Sequence, residues 1–166
     1  MIYVDTSVVV KALDDAHPGQ AEAARKSLKT RVEKVVSELF MLEFSAAVSR
    51  RTDLLSAVSK SLSVPDSTVA MGYTIFATSK FDLKMLGTSS GPVSTPLGKL
   101  SPEVARAMGL AGTLKLRSLD LLHLSYAMVL REEGYPIEAF LTSDREFTKA
   151  EGALKQMGIG LQYAGE

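Results

Sequence analysis

Residues 2–10 read IYVDTSVVV, an apolar run broken near its middle by Asp5, Thr6 and Ser7. Ile2 to Val4 favour a strand. An unpaired carboxylate buried inside a sheet costs far more than a few buried methyl groups return, so Asp5 marks the place where that strand ends. Thr6 to Leu13 then turn into a helix, with Thr6 or Ser7 as its cap. The same order recurs near the other end of the chain. Ala139 to Thr142 is a second β-favouring run, Ser143 and Asp144 close it, and Arg145 to Gln156 is predicted as helix.

Between these ends the spacing predicts a helix over Gln20 to Leu28, a strand at Lys34 to Val36, and a helix from Glu38 to Arg51 capped by Ser37. A further helix is expected from Asp53 to Leu62. Periodicity fails from Ser67 to Leu86, and the glycine, serine, threonine and proline of Gly87 to Lys99 read as a mobile loop. Ser101, Pro102 and Glu103 start a helix that runs to about Met108. Ser118 is expected to cap a long helix through Glu133, closed by Gly134, and Ile159 to Gln162 is a last strand. Strands alternating with helices define an α/β class built on a mainly parallel sheet, in which ligands collect at the carboxyl ends of the strands.

The 166 residues suffice for one domain with a full core, and 1–166 is read as one, with an atypical insert at about 63–99. Lys plus Arg and Asp plus Glu number 19 each, so no global field draws in a polyanion and any such partner must meet a local patch. Cysteine is absent, which excludes disulfides, zinc–thiolate sites and a thiol nucleophile, and the two histidines argue against a histidine-rich metal site. No apolar stretch approaches the roughly 20 residues that span a bilayer, and the N-terminus lacks a secretory pattern. The expected setting is cytoplasmic, with no membrane partner.

Four acids stand out. Asp5 and Asp144 each follow a strand and would project from one sheet edge; Asp120 lies in the first turn of an otherwise apolar helix; Glu43 lies between Leu42 and Phe44. Singly, each has an ordinary reading: Asp120 complements the helix dipole, Glu43 is solvated, and Asp5 and Asp144 cap the helices that follow them. Converging at one edge, they would repel one another without a cation and would offer the oxygen ligands that Mg2+ or Mn2+ takes. Metal-assisted phosphodiester hydrolysis is the chemistry such a cluster supports.

The segments IYVDTSVVVKAL, SELFMLEFSAAVSR, LRSLDLLHLSYAMVL and FLTSDREFTKA resemble, in order, the four motif regions of PIN-domain nucleases, and in wording those of VapC-type toxins. The resemblance covers roughly residues 1–51 and 114–160. It implies a three-layer α/β/α fold and an acidic pocket holding one or two Mg2+ or Mn2+ ions. It also implies endoribonuclease activity on RNA, a cognate antitoxin and a homodimer. By motif, Asp5, Glu43, Asp120 and Asp144 carry over as the catalytic, metal-binding acids, and Ser7 as the hydroxyl that supports them. Without an appended RNA-binding module, the chain is similar to the free-standing toxin type. A free-standing nuclease of RNA processing and a non-catalytic scaffold of the same fold are the alternatives. An aspartyl-nucleophile phosphatase would need a second acid where Ser7 stands, and a receiver module would need paired acids after its first strand.

Around the acids, Arg117 and Arg145 could hold a phosphate, and Lys11, Arg50 and Arg51 could add a basic rim. His123, one helical turn after Asp120, is expected to be structural and not a ligand or base. Tyr73, Phe76 and Phe81 are expected to pack against protein in preference to stacking bases.

Overall fold

The computed structural model describes residues 1–165, without the side chains of 52–54. It begins with β1 (Ile2–Val4), α1 (Thr6–Ala12), α2 (Pro18–Leu28), β2 (Lys34–Val36) and α3 (Glu38–Ser49). α4 (Thr52–Leu62), α5 (Asp66–Lys80) and β3 (Leu83–Met85) follow, then a small hairpin of β4 (Val93–Thr95) and β5 (Gly98–Leu100). The chain ends with α6 (Pro102–Leu114), α7 (Ser118–Glu132), β6 (Ala139–Thr142), a 3-10 turn at Arg145–Ala150, α8 (Glu151–Gln156) and β7 (Gly160–Tyr163).

Five strands form one sheet in the order β3-β2-β1-β6-β7, and every pairing in it is parallel. The strands are short, so each face is set by one or two side chains that alternate across the pleat. Tyr3, Val35 and Phe140 point to one face, where Leu121, Leu124 and Met128 of α7, Ala107 and Leu114 of α6 and Leu154 of α8 cover them. Ile2, Val4, Val36, Ala139 and Leu141 point to the other, against Val8 and Val9 of α1, Ala24 and Leu28 of α2, Phe40 and Phe44 of α3, and Ala77 of α5. The result is the expected three-layer α/β/α arrangement, with β1 wholly buried because helices cover both of its faces. Phe140 links sheet to helices: its ring stacks on Tyr3 at 5.5 Å and meets Phe147 at 4.8 Å between centroids.

Several sequence expectations are corrected. Ser67 to Leu86, unassigned by pattern, holds most of α5 and the edge strand β3. Only Val69, Ala70, Thr74 and Ala77 of α5 are buried, while Met71, Ile75 and Phe76 face outward, so its apolar residues do not trace one stripe. The segment read as a mobile loop contains the antiparallel hairpin Val93↔Leu100 and Thr95↔Gly98. The helix expected to stop near Met108 continues to Leu114, passing Gly109 and Gly112, because its apolar face packs along α7. It ends at Lys115, which has left-handed backbone at φ 53°. The helix expected over Arg145 to Gln156 divides into the 3-10 turn and α8.

The capping expectations change too. Ser37, Ser101 and Asp5 occupy N-cap positions without a side-chain cap bond, and Arg117 stands in place of Ser118 at the start of α7. Thr6, Ser7 and Ser37 spend their hydroxyls on the site described next.

Candidate functional site

Because β2 and β3 are added on one side of β1 and β6 and β7 on the other, the connections reverse direction between β1 and β6. That switch point leaves a crevice beyond the carboxyl ends of the two strands, where ligands of open parallel sheets bind. Asp5 leaves β1 and Asp144 leaves β6 at this place, as the strand-then-acid pattern predicted. Asp5 also continues the pairing beyond the strand, its backbone N–H donating to Leu141 O at 2.9 Å.

Asp5 is only 5% exposed, and a carboxylate so buried needs donors. Two hydroxyls supply them on one oxygen: Ser7 Oγ donates to Oδ2 at 2.5 Å and Thr142 Oγ1 at 2.7 Å. The same hydroxyls fasten the exit of β6, since Ser143 N donates to Ser7 Oγ at 3.1 Å and Asp144 N to Thr142 Oγ1 at 3.0 Å. Lys11 Nζ, one turn along α1 from Ser7, donates to Ser143 O at 3.1 Å. The two strand ends are thus tied to each other through the side chains that orient Asp5.

Glu43 and His123 stand on a second side. His123 is 1% exposed; its Nδ1 shares a hydrogen bond of 2.9 Å with the Tyr3 hydroxyl, which in turn lies 2.8 Å from Ser37 Oγ. Its Nε2 is 2.5 Å from Glu43 Oε2, 3.1 Å from Thr6 Oγ1 and 3.8 Å from Asp5 Oδ1. Burial pushes the Glu43 carboxyl up, but the hydrogen bond and field of His123, a bond from Thr6 and the charge of Arg50 together hold it below the usual glutamate range. Burial raises the Tyr3 hydroxyl well above its ordinary value, so it keeps its proton.

Asp120 approaches from α7. Burial, then the charges of Asp5 and Asp144, push its carboxyl above the usual aspartate range, against the smaller opposing effects of Arg117. Asp5, Asp120 and Asp144 therefore share one field. Asp144 spends Oδ1 on Glu146 N at 2.9 Å and so caps the 3-10 turn, as its ordinary reading anticipated. Among the described residues, Asp5, Glu43 and His123 each bring a potential ligand atom to within 4.8 Å of the other two. Asp120 and Asp144 lie outside that set and are joined to it by electrostatics.

Of the expected rim residues, Lys11, Arg50 and Arg117 lie beside the acids, whereas Arg51 reaches Asp14 at 4.0 Å. Arg145 lies with its guanidinium 4.2 Å above the Tyr163 ring, next in sequence to Asp144. Tyr73 and Phe81 pack into the helical layer on the far face, and Phe76 is half exposed there. Sequence reasoning missed Thr142, Thr6 and Tyr3. Thr6 adjoins Asp5 and Thr142 ends the strand before Asp144, which was the available signal, whereas Tyr3 is the middle residue of β1 and carried none.

No protein-family model matches the chain, and no curated protein sequence matches it. Its fold is similar to that of a chain in the crystal structure of VapBC2 from Rickettsia felis bound to a DNA fragment from their promoter, with a TM-score of 0.54 over 98% of both chains and 15% sequence identity. At that identity the similarity bears on architecture.

Proposed function

We propose that this chain is a metal-dependent endoribonuclease that hydrolyses phosphodiester bonds of RNA, and that it acts as the toxin of a toxin–antitoxin pair in the cytoplasm. The observation that carries the reading is the meeting of Asp5, Asp120 and Asp144 at the β1–β6 switch point, where burial and then the charges of Asp5 and Asp144 raise the Asp120 carboxyl. All-oxygen donors of this kind fit Mg2+ or Mn2+. Asp5, Glu43, Asp120 and Asp144 would hold one or two such ions. A divalent ion supplies acidification of water and neutralisation of the charge developing on the phosphate.

The chain's own residues do the rest. Ser7 and Thr142 fix which Asp5 oxygen is committed to the protein. Lys11, Arg50 and Arg117 stand at the rim, where a neutral protein needs local cations to meet a phosphate backbone; Arg145, held flat on Tyr163, extends that rim past Asp144. On α4 and α5, Leu62, Met71, Ile75 and Phe76 are exposed, which supports a protein contact there, with an antitoxin or a second copy. No helix among the described residues is long and apolar enough to cross a membrane.

Cleavage of a labelled single-stranded RNA with Mg2+ or Mn2+, by wild type and by Asp5→Asn and Asp144→Asn, tests the activity. Wild type should cut internally and stop in excess EDTA, and both variants should be silent at unchanged fold. Equal cleavage by either variant removes that acid from the proposal; no cleavage by wild type under any ion leaves the scaffold reading.

A further inference from the structure

The group that geometry would first nominate as a cation site is Asp5, Glu43 and His123. One distance inside it argues against the imidazole as a ligand. Two atoms bound to one Mg2+ at about 2.1 Å and at right angles lie about 3.0 Å apart. His123 Nε2 and Glu43 Oε2 are 2.5 Å apart, closer than neighbouring ligands of one ion and shorter than the roughly 2.7–2.9 Å of a charge-assisted N–H···O bond, so the contact is a short hydrogen bond with the proton between the two atoms. An ionised carboxylate can only accept, so the proton is on Nε2. The ring cannot swing to offer its other nitrogen, because the Tyr3 hydroxyl, itself bonded to Ser37, engages Nδ1 in a fully buried position.

We infer that His123 is a positioning residue: the buried chain Ser37–Tyr3–His123 ends in an Nε2–H that clamps Glu43 Oε2 beside Asp5 and leaves Glu43 its second oxygen, while His123 itself takes no ion. This rests on the proposed metal site and names a residue whose part in it is indirect. It also explains why a strand residue of β1, Tyr3, carries a hydroxyl into an otherwise apolar layer between Val35, Phe140 and Leu124. The hydroxyl sets the orientation of a ring that sets the orientation of an acid. Removal of such an outer hydrogen-bond partner typically weakens metal binding by about 10–100-fold.

The test has two readouts, neither of them activity. Ring-nitrogen NMR of the wild-type protein at pH 8 should show Nε2 of His123 protonated without metal and still protonated in saturating Mg2+. Loss of that proton on adding Mg2+, or its absence from the start, overturns the inference. Calorimetric Mn2+ titration of wild type, His123→Gln, His123→Leu, Glu43→Gln and the double variant His123→Leu/Glu43→Gln gives the second. His123→Leu should bind Mn2+ at least tenfold more weakly, His123→Gln, which keeps a donor, should recover most of it, and His123→Leu should cost nothing further in the Glu43→Gln background. Additive losses would make His123 an independent ligand and overturn the inference. If wild type binds no Mn2+ or Mg2+, the metal reading falls, and the clamp stands or falls on the Nε2 proton alone. If His123→Leu does not fold, His123→Gln and its double with Glu43→Gln carry the same comparison, a loss in the first that persists in the second being the contrary result.

Discussion

Thr142→Val removes one oxygen and almost no volume from the point where the two strand ends meet. Thr142 is fully buried, donates to Asp5 Oδ2 at 2.7 Å and accepts from Asp144 N at 3.0 Å. Valine replaces both bonds with a methyl group, leaving a buried carboxylate with one donor fewer and a backbone N–H with none from this side chain. A hydrogen bond to a charged group is worth about 1.5–3 kcal/mol and a neutral one about 1 kcal/mol, with part of each offset by local relaxation. A net loss of about 2–3 kcal/mol follows, or a fall in Tm of roughly 4–12 °C at this chain length. Urea denaturation followed by circular dichroism measures it, the midpoint shifting while the m-value stays constant. Thr142→Ser, which keeps the hydroxyl and loses one methyl, should cost about 1 kcal/mol. A valine variant within about 0.5 kcal/mol of wild type, or a serine variant as unstable as the valine, would mean that the Thr142 hydroxyl does not hold the strand ends together.

Other consequences are checked by similar means. The Asp120 carboxyl is raised by burial and by Asp5 and Asp144, so its contribution to stability is present at low pH and is lost as pH rises through its folded value. Asp120→Asn should therefore stabilise the metal-free protein near pH 7 and remove the gain in stability that protonating Asp120 contributes on acidifying from there, which urea midpoints across pH 4–7 would show. Glu43 has the opposite sign: its lowered carboxyl contributes stability above the unfolded value that is lost as pH falls through the folded one, so Glu43→Gln should remove part of the acid sensitivity. Phe140→Ala opens the stack between Tyr3 and Phe147 and should cost about 3–5 kcal/mol in the same assay. Lys115→Gly relieves left-handed backbone at the end of α6 and should raise stability by roughly 0.5–1 kcal/mol, less if the lysine stem packs on the surface.

The parts of the molecule legible in the sequence are those where one residue's neighbours in the chain decide its environment. Asp5 and Asp144 could be placed because each ends a run of three or four buried residues, and parallel pairing of those runs puts both at one edge. Asp120 and Glu43 lie inside helices, and their approach to that edge depended on how α7 and α3 pack. His123 was expected to be structural, and it is buried as a structural residue would be; its link to Glu43 depends on partners 80 and 120 positions away, which no local pattern reports. α5 escaped notice because much of its apolar surface faces outward, and because Thr74, a polar residue, is buried there with its hydroxyl bonded to Ala70 O. The β4–β5 hairpin escaped because its strands are three residues long and mostly exposed, so neither shows alternation of apolar and polar side chains.

The proposed nuclease activity requires that the acids gathered at the β1–β6 switch point hold a divalent ion around Asp5. Crystals soaked in Mn2+, with diffraction collected at the manganese edge, address it most directly. An anomalous peak is expected about 2.2 Å from an Asp5 oxygen, shared with Asp120, Asp144 or Glu43 and not touching His123 Nε2. A fully soaked crystal with no peak beside Asp5, or with its strongest peak elsewhere on the molecule, would contradict the proposed site.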